Sequence, residues 1–240
     1  MKQAPSEAAL PRGFRFAATA CGLKKTGALD LAILSSDVSA SAAAVFTQNL
    51  VVAAPVRLSK RHLELSGGRM RAVVVNAGNA NCATGARGEA ASRRTVEEAA
   101  RRLRAQPEEV FVCSTGVIGV QLPVEKILRA LPSLASNRRP SARSFAELSL
   151  AICTTDTRPK TAAASFKMAG KRIHLVGCAK GAGMIHPNMA TTLAFVVTDA
   201  AISPALLQKT LNEVTRRTFN AISVDGDTST NDTLLVLANG

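Results

Sequence analysis

Every apolar run in this chain is short, and that limits what it can fold into. Residues 29–35 (Leu-Asp-Leu-Ala-Ile-Leu-Ser) and 71–76 (Arg-Ala-Val-Val-Val-Asn) have the length and density of buried strands. No stretch approaches the 18 apolar residues of a membrane span. Residues 88–105 place Val96, Ala99, Ala100 and Leu103 at helical spacing with arginines opposite, which predicts a helix. Residues 109–114 predict a strand ending at Thr115-Gly116. Residues 123–131 predict a short helix with Pro123 at its first position. Residues 131–143 look like a loop or linker, followed by a helix with Ser144 and Glu147 at capping-box spacing. Residues 161–168 and 171–177 predict a hairpin about Ala169-Gly170, and residues 192–198 a further strand. Ser203-Pro204 opens a helix carrying Leu207, Leu211, Val214 and Thr218 on one face, and residues 233–238 form a last strand. Residues 40–54, rich in Ala and Val, fit neither template. Strands and helices mix without βαβ rhythm or repeat, so the expectation is an α+β fold in layers rather than a doubly wound sheet.

The 240 residues include 47% hydrophobic and 20% charged side chains, enough for a sizeable core. Thirty basic against seventeen acidic residues give a net charge of +13, which invites anionic partners. With no Trp or Tyr, eight Phe and scattered arginine pairs, base-stacking platforms are scarce, so nucleic acid is not expected. The first residues lack an apolar signal segment, which predicts a cytoplasmic protein without a membrane anchor. Five widely spaced cysteines (21, 82, 113, 153, 178) suit reduced, buried thiols better than a disulfide frame or a zinc site.

Phosphate-binding loops, the dinucleotide fingerprint, the H-E-x-x-H helix and the serine-hydrolase elbow are all missing. His62, His174 and His186 are far apart, and His174 alternates within a strand as a filler. Residues 178–200 are the informative stretch. Lys180 sits in a glycine loop with Gly181 and Gly183, and Pro187-Asn188 then turns the chain toward Thr191-Thr192 at the mouth of an apolar strand. Threonine is a weak nucleophile without a base. No local His or acid supplies one, and one solution is the threonine's own α-amine, freed by cutting the preceding peptide bond. On these residues alone, a glycine turn feeding a core strand fits equally well. Asn76, Asn79 and Asn81 suit turn architecture. Residues 225–232 lack the sixth-position Gly and closing Glu of a calcium loop, so no metal is expected there; a structural loop near the active site is the better reading. Asp156 and Asp199 suit local hydrogen-bond acceptors.

The segment from Lys180-Gly-Ala-Gly-Met-Ile through Asn188-Met-Ala-Thr-Thr-Leu-Ala-Phe resembles the self-cleavage segment of the bifunctional ornithine acetyltransferase / glutamate N-acetyltransferase family of arginine biosynthesis. Further blocks agree in order: Gly13-Phe-Arg-Phe, Ala44-Val-Phe-Thr-Gln-Asn, Asn76-Ala-Gly-Asn-Ala-Asn, Cys113-Ser-Thr-Gly-Val-Ile-Gly with Leu122-Pro123, Thr154-Thr-Asp-Thr-Arg-Pro-Lys and Asp225-Gly-Asp-Thr-Ser-Thr-Asn-Asp. The resemblance implies a layered α/β/β/α sandwich with mixed sheets. It implies cleavage between Ala190 and Thr191, dividing an α-chain region (1–190) from the start of a β-chain region (191–240). Thr191 would be the nucleophile, Thr115 and Gly116 the oxyanion hole, and Thr154, Lys180 and Thr191 the substrate-binding residues. The implied reaction carries an acetyl group from N-acetylornithine to glutamate through an acetyl-threonine, without metal or bound cofactor. Acetyl-CoA as a second donor is left open. Small-molecule substrates and a heterotetramer of α and β chains are the expected partners. Family members continue past position 240, so a chain incomplete at its C-terminus is expected, with β-region strands short of partners. Two alternatives stay open: a related self-processing amidohydrolase or aminopeptidase, and an inactive fragment.

Overall fold

The structure is a computed structural model that describes residues 5–184 and 192–240. The expected cleavage pair Ala190 and Thr191, with His186, lies outside the described residues. One mixed eight-stranded sheet organises the rest. Its central strand is unusually long. After β1 (Phe14–Thr19), β2 runs from Leu31 to Phe46, and its register against β3 slips between Ser35 and Ala40, where the polar run Ser35-Ser-Asp-Val-Ser interrupts the apolar pattern. Before that bulge β2 pairs with β1; after it, β2 pairs with the final strand. A bulge bends its strand, so β2 belongs to two half-sheets at once.

The first half holds β1, the start of β2, β3 (Arg69–Asn79) and β4 (Val110–Val117), with β3 and β4 parallel. Around it lie α1 (Ala54–Leu65), α2 (Gly85–Leu103), α3 (Val124–Ser136) and α4 (Ala142–Ala151). The second half holds β5 (Lys160–Met168), β6 (Lys171–Lys180), β7 (Leu193–Thr198) and, beyond α5 (Pro204–Arg217), β8 (Thr233–Ala238). The strand order is β4-β3-β2-β8-β7-β6-β5, with β1 beside β2.

Alternation along each strand sorts the side chains into layers. Ala32, Leu34, Val73, Val75 and Phe111 join Val176, Phe195, Leu235 and Leu237 in one inner cluster between the half-sheets. Their neighbours Leu31, Ile33, Val74 and Val112 face α2 and α3 instead. Ala43, Ala194 and Leu234 face Leu207 and Leu211 of α5. The result is helix, sheet, sheet, helix, the α+β sandwich expected. Residues on both sides of position 190 contribute strands to the same sheet.

Several local expectations need correction. Helix α3 does not stop at residue 131: Pro132 lies inside it, and burial of Leu131, Leu134 and Ala135 offsets the lost backbone hydrogen bond. The next helix is capped one turn earlier than Ser144, since Ser141 Oγ accepts the Ser144 N–H at 3.1 Å. On α5, Thr215 takes the buried place expected for Val214, which is exposed, and Thr218 caps the helix end. Residues 40–54 resolve into the end of β2 and the approach to α1. β7 and β8 each pair on both sides, contrary to the expected lack of partners. The hairpin turn is as expected, with Ala169 (φ 48°) and Gly170 (φ 75°) both left-handed. Among the described residues no helix is long and apolar enough to cross a membrane.

Helix α4 closes the inner cluster through Phe145, fully buried and edge-on to Phe16 with ring centroids 5.2 Å apart. Phe145→Ala is expected to cost about 3–5 kcal/mol in urea unfolding. Leu150→Ala, on the exposed side of the same helix, is expected to stay within about 0.5 kcal/mol.

Candidate active site

The parallel strands β3 and β4 end side by side, with Asn76, Ala77 and Gly78 opposite Ser114, Thr115 and Gly116. At this point the backbones pack too closely for side chains. Gly116 has φ +133°, and a Cβ there would lie 2.3 Å from the Gly78 carbonyl carbon. A Cβ on Gly78 would in turn stand 3.0 Å from the Leu23 carbonyl oxygen. Only glycine satisfies both the torsion and the approach.

A buried amide network fixes the strand ends. Ser114 Oγ donates to Asn76 Oδ1 (2.6 Å) and Asn76 Nδ2 to the Asn79 carbonyl (2.9 Å). Asn79 Oδ1 accepts the Asn81 N–H (2.8 Å), while Asn81 Nδ2 donates to Gly88 O and Ser92 Oγ. The three asparagines are thus spent on loop architecture, as their spacing with Gly78 suggested. From the other half-sheet, Asn231 Nδ2 donates to the carbonyls of Ala80 (2.7 Å) and Ser114 (2.9 Å). That holds residues 225–232 against the same strand ends.

Between these elements lies a cavity of about 750 Å³. Thr115, Gly116, Thr154 and Lys180, four site residues inferred from sequence, all line it, together with Leu23, Lys24, Asp225, Ser229, Thr230 and Asn231. The fifth, Thr191, lies outside the described residues, but Thr192 N–H donates to Asp232 Oδ1 at 2.7 Å, beside Asn231. Residues 225–232 therefore form a loop at the site, as expected.

Lys180 is 6% exposed. Burial lowers its pKa below the ordinary lysine value, and the carboxylates of Asp232 and Asp156 oppose that shift. Among the described residues its ammonium has no hydrogen-bond acceptor, so a cation faces the cavity with its charge unspent. The thiols are poor rival nucleophiles: burial pushes Cys113 and Cys178 up to about 12 and raises Cys153 as well. Neither His62, held at 3.1 Å from the Val110 carbonyl under α1, nor His174 of β6 lines the cavity. Among the described residues no group of three His, Cys, Asp or Glu side chains could hold a metal ion.

One part of the wall was invisible in the sequence. Asp30, fully buried, accepts the N–H groups of Cys21 (2.6 Å), Leu23 (2.6 Å) and Lys24 (2.9 Å). Lys24 Nζ donates to the carbonyls of Leu29 (2.6 Å) and Ala151 (3.1 Å), joining this loop to the end of α4 and the Thr154 segment. An Asp inside an apolar strand run was the available signal.

The ArgJ family model matches residues 15–240. The chain belongs to the ArgJ family. An arginine biosynthesis bifunctional protein ArgJ from Thermus thermophilus is 57% identical over 96% of this chain, which spans 58% of that protein. A mitochondrial ArgJ from Uncinocarpus reesii is 46% identical over all of this chain and 55% of its own length. The chain thus spans little more than half the length of these ArgJ relatives. Two solved structures are similar: ArgJ from Bacillus halodurans (TM-score 0.73, 34% identity, 78% of this chain and 95% of that one) and an ornithine acetyltransferase complexed with ornithine from Mycobacterium tuberculosis (TM-score 0.66, 33% identity, 80% and 98%). An L-aminopeptidase D-Ala-esterase/amidase from Ochrobactrum anthropi, described as a variant of the Ntn hydrolase fold, superposes with TM-score 0.57 over all of this chain and 76% of its own, at 10% identity. That likeness is one of fold.

Asp30→Asn puts an NH₂ group in place of one carboxylate oxygen, and an amide turned either way leaves at least one loop N–H facing a donor. The change is expected to cost about 2–4 kcal/mol and to speed hydrogen exchange at the Leu23 and Lys24 amides, read by NMR.

Proposed function

We propose that this ArgJ-family chain carries the self-cleaving acetyl-transfer centre of an ornithine acetyltransferase / glutamate N-acetyltransferase. The observation that supports it most is the cavity shared by Thr115, Gly116, Thr154 and Lys180, four residues that come from separate segments of the chain. In this reading the Thr191 hydroxyl attacks the Ala190 carbonyl, the acyl group moves from nitrogen to oxygen, and water opens the ester. Two chains result, the second with a free α-amine on Thr191. That amine takes the hydroxyl proton as Oγ attacks the acetyl carbonyl of N-acetylornithine. The amide C–N bond breaks, the proton passes to the departing ornithine amine, and the acetyl group remains as a threonine ester. The amine of glutamate then attacks the ester, giving N-acetylglutamate and restoring Thr191.

Each wall residue has a chemical task. The Thr115 hydroxyl and the Gly116 N–H, at a strand end where no Cβ fits, serve the oxyanion of each tetrahedral species in cleavage and in transfer. Lys180 meets a substrate carboxylate, and its burial strengthens the attraction. Thr154, exposed on the cavity wall, offers a neutral hydroxyl. No bound cofactor enters these steps; acetyl-CoA would act as a second acetyl donor. The cleaved chains pair into a heterotetramer and work on small molecules in the cytoplasm.

Thr191→Ala is expected to leave a single uncut chain with no transfer to glutamate. Thr115→Ala is expected to slow both cleavage and transfer about 10²–10³-fold, the cost of one oxyanion donor. Intact-mass spectrometry reads the cut, and a coupled assay with N-acetylornithine and glutamate reads transfer. Two fragments from Thr191→Ala, or acetylornithine hydrolysis with no need of glutamate, would remove this reading.

A further inference from the structure

Thr154 and Lys180 stand on segments separated by the whole β5–β6 hairpin, yet they line one cavity. A single carboxylate spans them. Asp156, two residues after Thr154, has a side chain with no solvent exposure, and its Oδ1 accepts the N–H of Gly181, the residue after Lys180, at 2.8 Å. The same oxygen accepts from Lys160 Nζ at the start of β5 (2.5 Å). The other oxygen, Oδ2, is enclosed and accepts no hydrogen bond among the described residues. Its charge is therefore only partly quenched, and it acts through space on the Lys180 ammonium, which has no hydrogen-bond acceptor among the described residues.

We propose that Asp156 is a positioning residue for the acyl-transfer site: it ties the Thr154 wall to the end of β6 and keeps the Lys180 ammonium charged and aimed at a substrate carboxylate. This rests on the reading of Lys180 given above and assigns Asp156 a role within it. The surroundings of Lys180 agree. Among the described residues four titratable groups act on it: Asp232 and Asp156 as anions, Cys153, and Lys160 as a cation. Burial raises the Cys153 thiol, which leaves it neutral at neutral pH. Asp232 Oδ1 takes the Thr192 N–H. Burial alone would raise Asp156, but the hydrogen bonds from Lys160 and Gly181 and the nearby Lys160 and Lys180 charges outweigh it and keep its pKa below the ordinary aspartate value. Asp156 is thus a permanent anion across neutral pH. Without it, Asp232 would be the carboxylate left among the described residues to oppose desolvation of Lys180, and the ammonium would give up its proton at lower pH.

Asp156→Asn separates charge from geometry, because the amide oxygen can still accept the Gly181 N–H. In the protein labelled with ¹³Cε-lysine, the Lys180 signal is assigned by its loss in Lys180→Arg and titrated. Asp156→Asn is expected to lower the Lys180 titration by about one pH unit or more. Above the lowered Lys180 midpoint, where the variant lysine is neutral and the parent lysine still charged, it is also expected to raise KM for N-acetylornithine by up to about tenfold, with kcat within about threefold. The alkaline limb of the kcat/KM profile should move down with Lys180, while Asp156→Glu, which restores the charge, should titrate near the parent. An unmoved Lys180, a Glu variant that titrates like Asn, or a loss in kcat at unchanged KM would each overturn the proposal. A parent protein that transfers no acetyl group would instead sink the functional reading, and the lysine titration would still decide this one.

Discussion

One side-chain amide holds the two halves of the sandwich together at the end where the chemistry is placed. Asn231 sits just before β8, and its Nδ2 reaches the carbonyls of Ala80, the residue just past β3, and Ser114, within β4. Those carbonyls belong to a buried strand edge, so losing the donor would leave two acceptors unsatisfied at once. The clip is reinforced along its length: Thr47 N–H donates to the Asp232 carbonyl, Thr47 Oγ1 to Ser229 O, and Ala53 N–H to Thr230 O. Residues 225–232 are thereby pinned over the mouth of the first half-sheet, although they enter the second. Directional bonds thus fix the two half-sheets, already joined through β2, against each other at the cavity.

Within that frame the glycine contacts set the geometry. Gly78 and Gly116 touch backbone to backbone, and the Leu23 carbonyl stacks on the outside, so three chain segments converge at a spot with no side chains. Such a place presents bare backbone N–H and carbonyl groups to a ligand, which a packed strand end would bury. Asp30 supplies the complementary restraint. By gathering three N–H groups on one carboxylate it fixes a loop that has no regular hydrogen bonding of its own.

Much of this was legible in the chain. The inner and outer faces follow from strand alternation, and the α2 stripe of Val96, Ala99, Ala100 and Leu103 is buried as its spacing requires. Thr115, Gly116, Thr154 and Lys180 were singled out by resemblance to a family, and they meet in one cavity. What stayed hidden has a common cause: tertiary burial overrode a local signal. Strand β1 is six residues long and carries Arg15 as its second residue, so its alternation is too brief to register, yet Phe14 and Phe16 are fully buried. β2 crosses the polar bulge at Ser35–Asp37, which reads as a break although the pairing resumes beyond it. Pro132 reads as a stop, but three buried neighbours carry the helix over it. Asn231 and Asp30 were silent because their partners are distant in sequence; a residue type alone does not say whose carbonyl or N–H it will reach.

The electrostatics place the same division between what is distributed and what is aimed. Most of the thirty Lys and Arg side chains lie at the surface, where some are paired: Arg101 and Arg102 share Glu98, and Arg143 meets Glu147 one turn away. Such exposed pairs contribute little to stability. Lys24 and Lys180 are different, since both are drawn out of water at the cavity wall. Lys24 is answered by two carbonyls, which makes it a strut between loop and helix. Among the described residues Lys180 has no such carbonyl partner, and the carboxylates that act on it are Asp232 and Asp156. A buried ammonium left in that condition lowers the stability of the fold, and it persists because the rest of the sandwich holds it there. Among the described residues the two lysines differ by two carbonyl oxygens: Lys24 is tied into the cavity wall by them, and Lys180 keeps a buried charge with no hydrogen-bond acceptor.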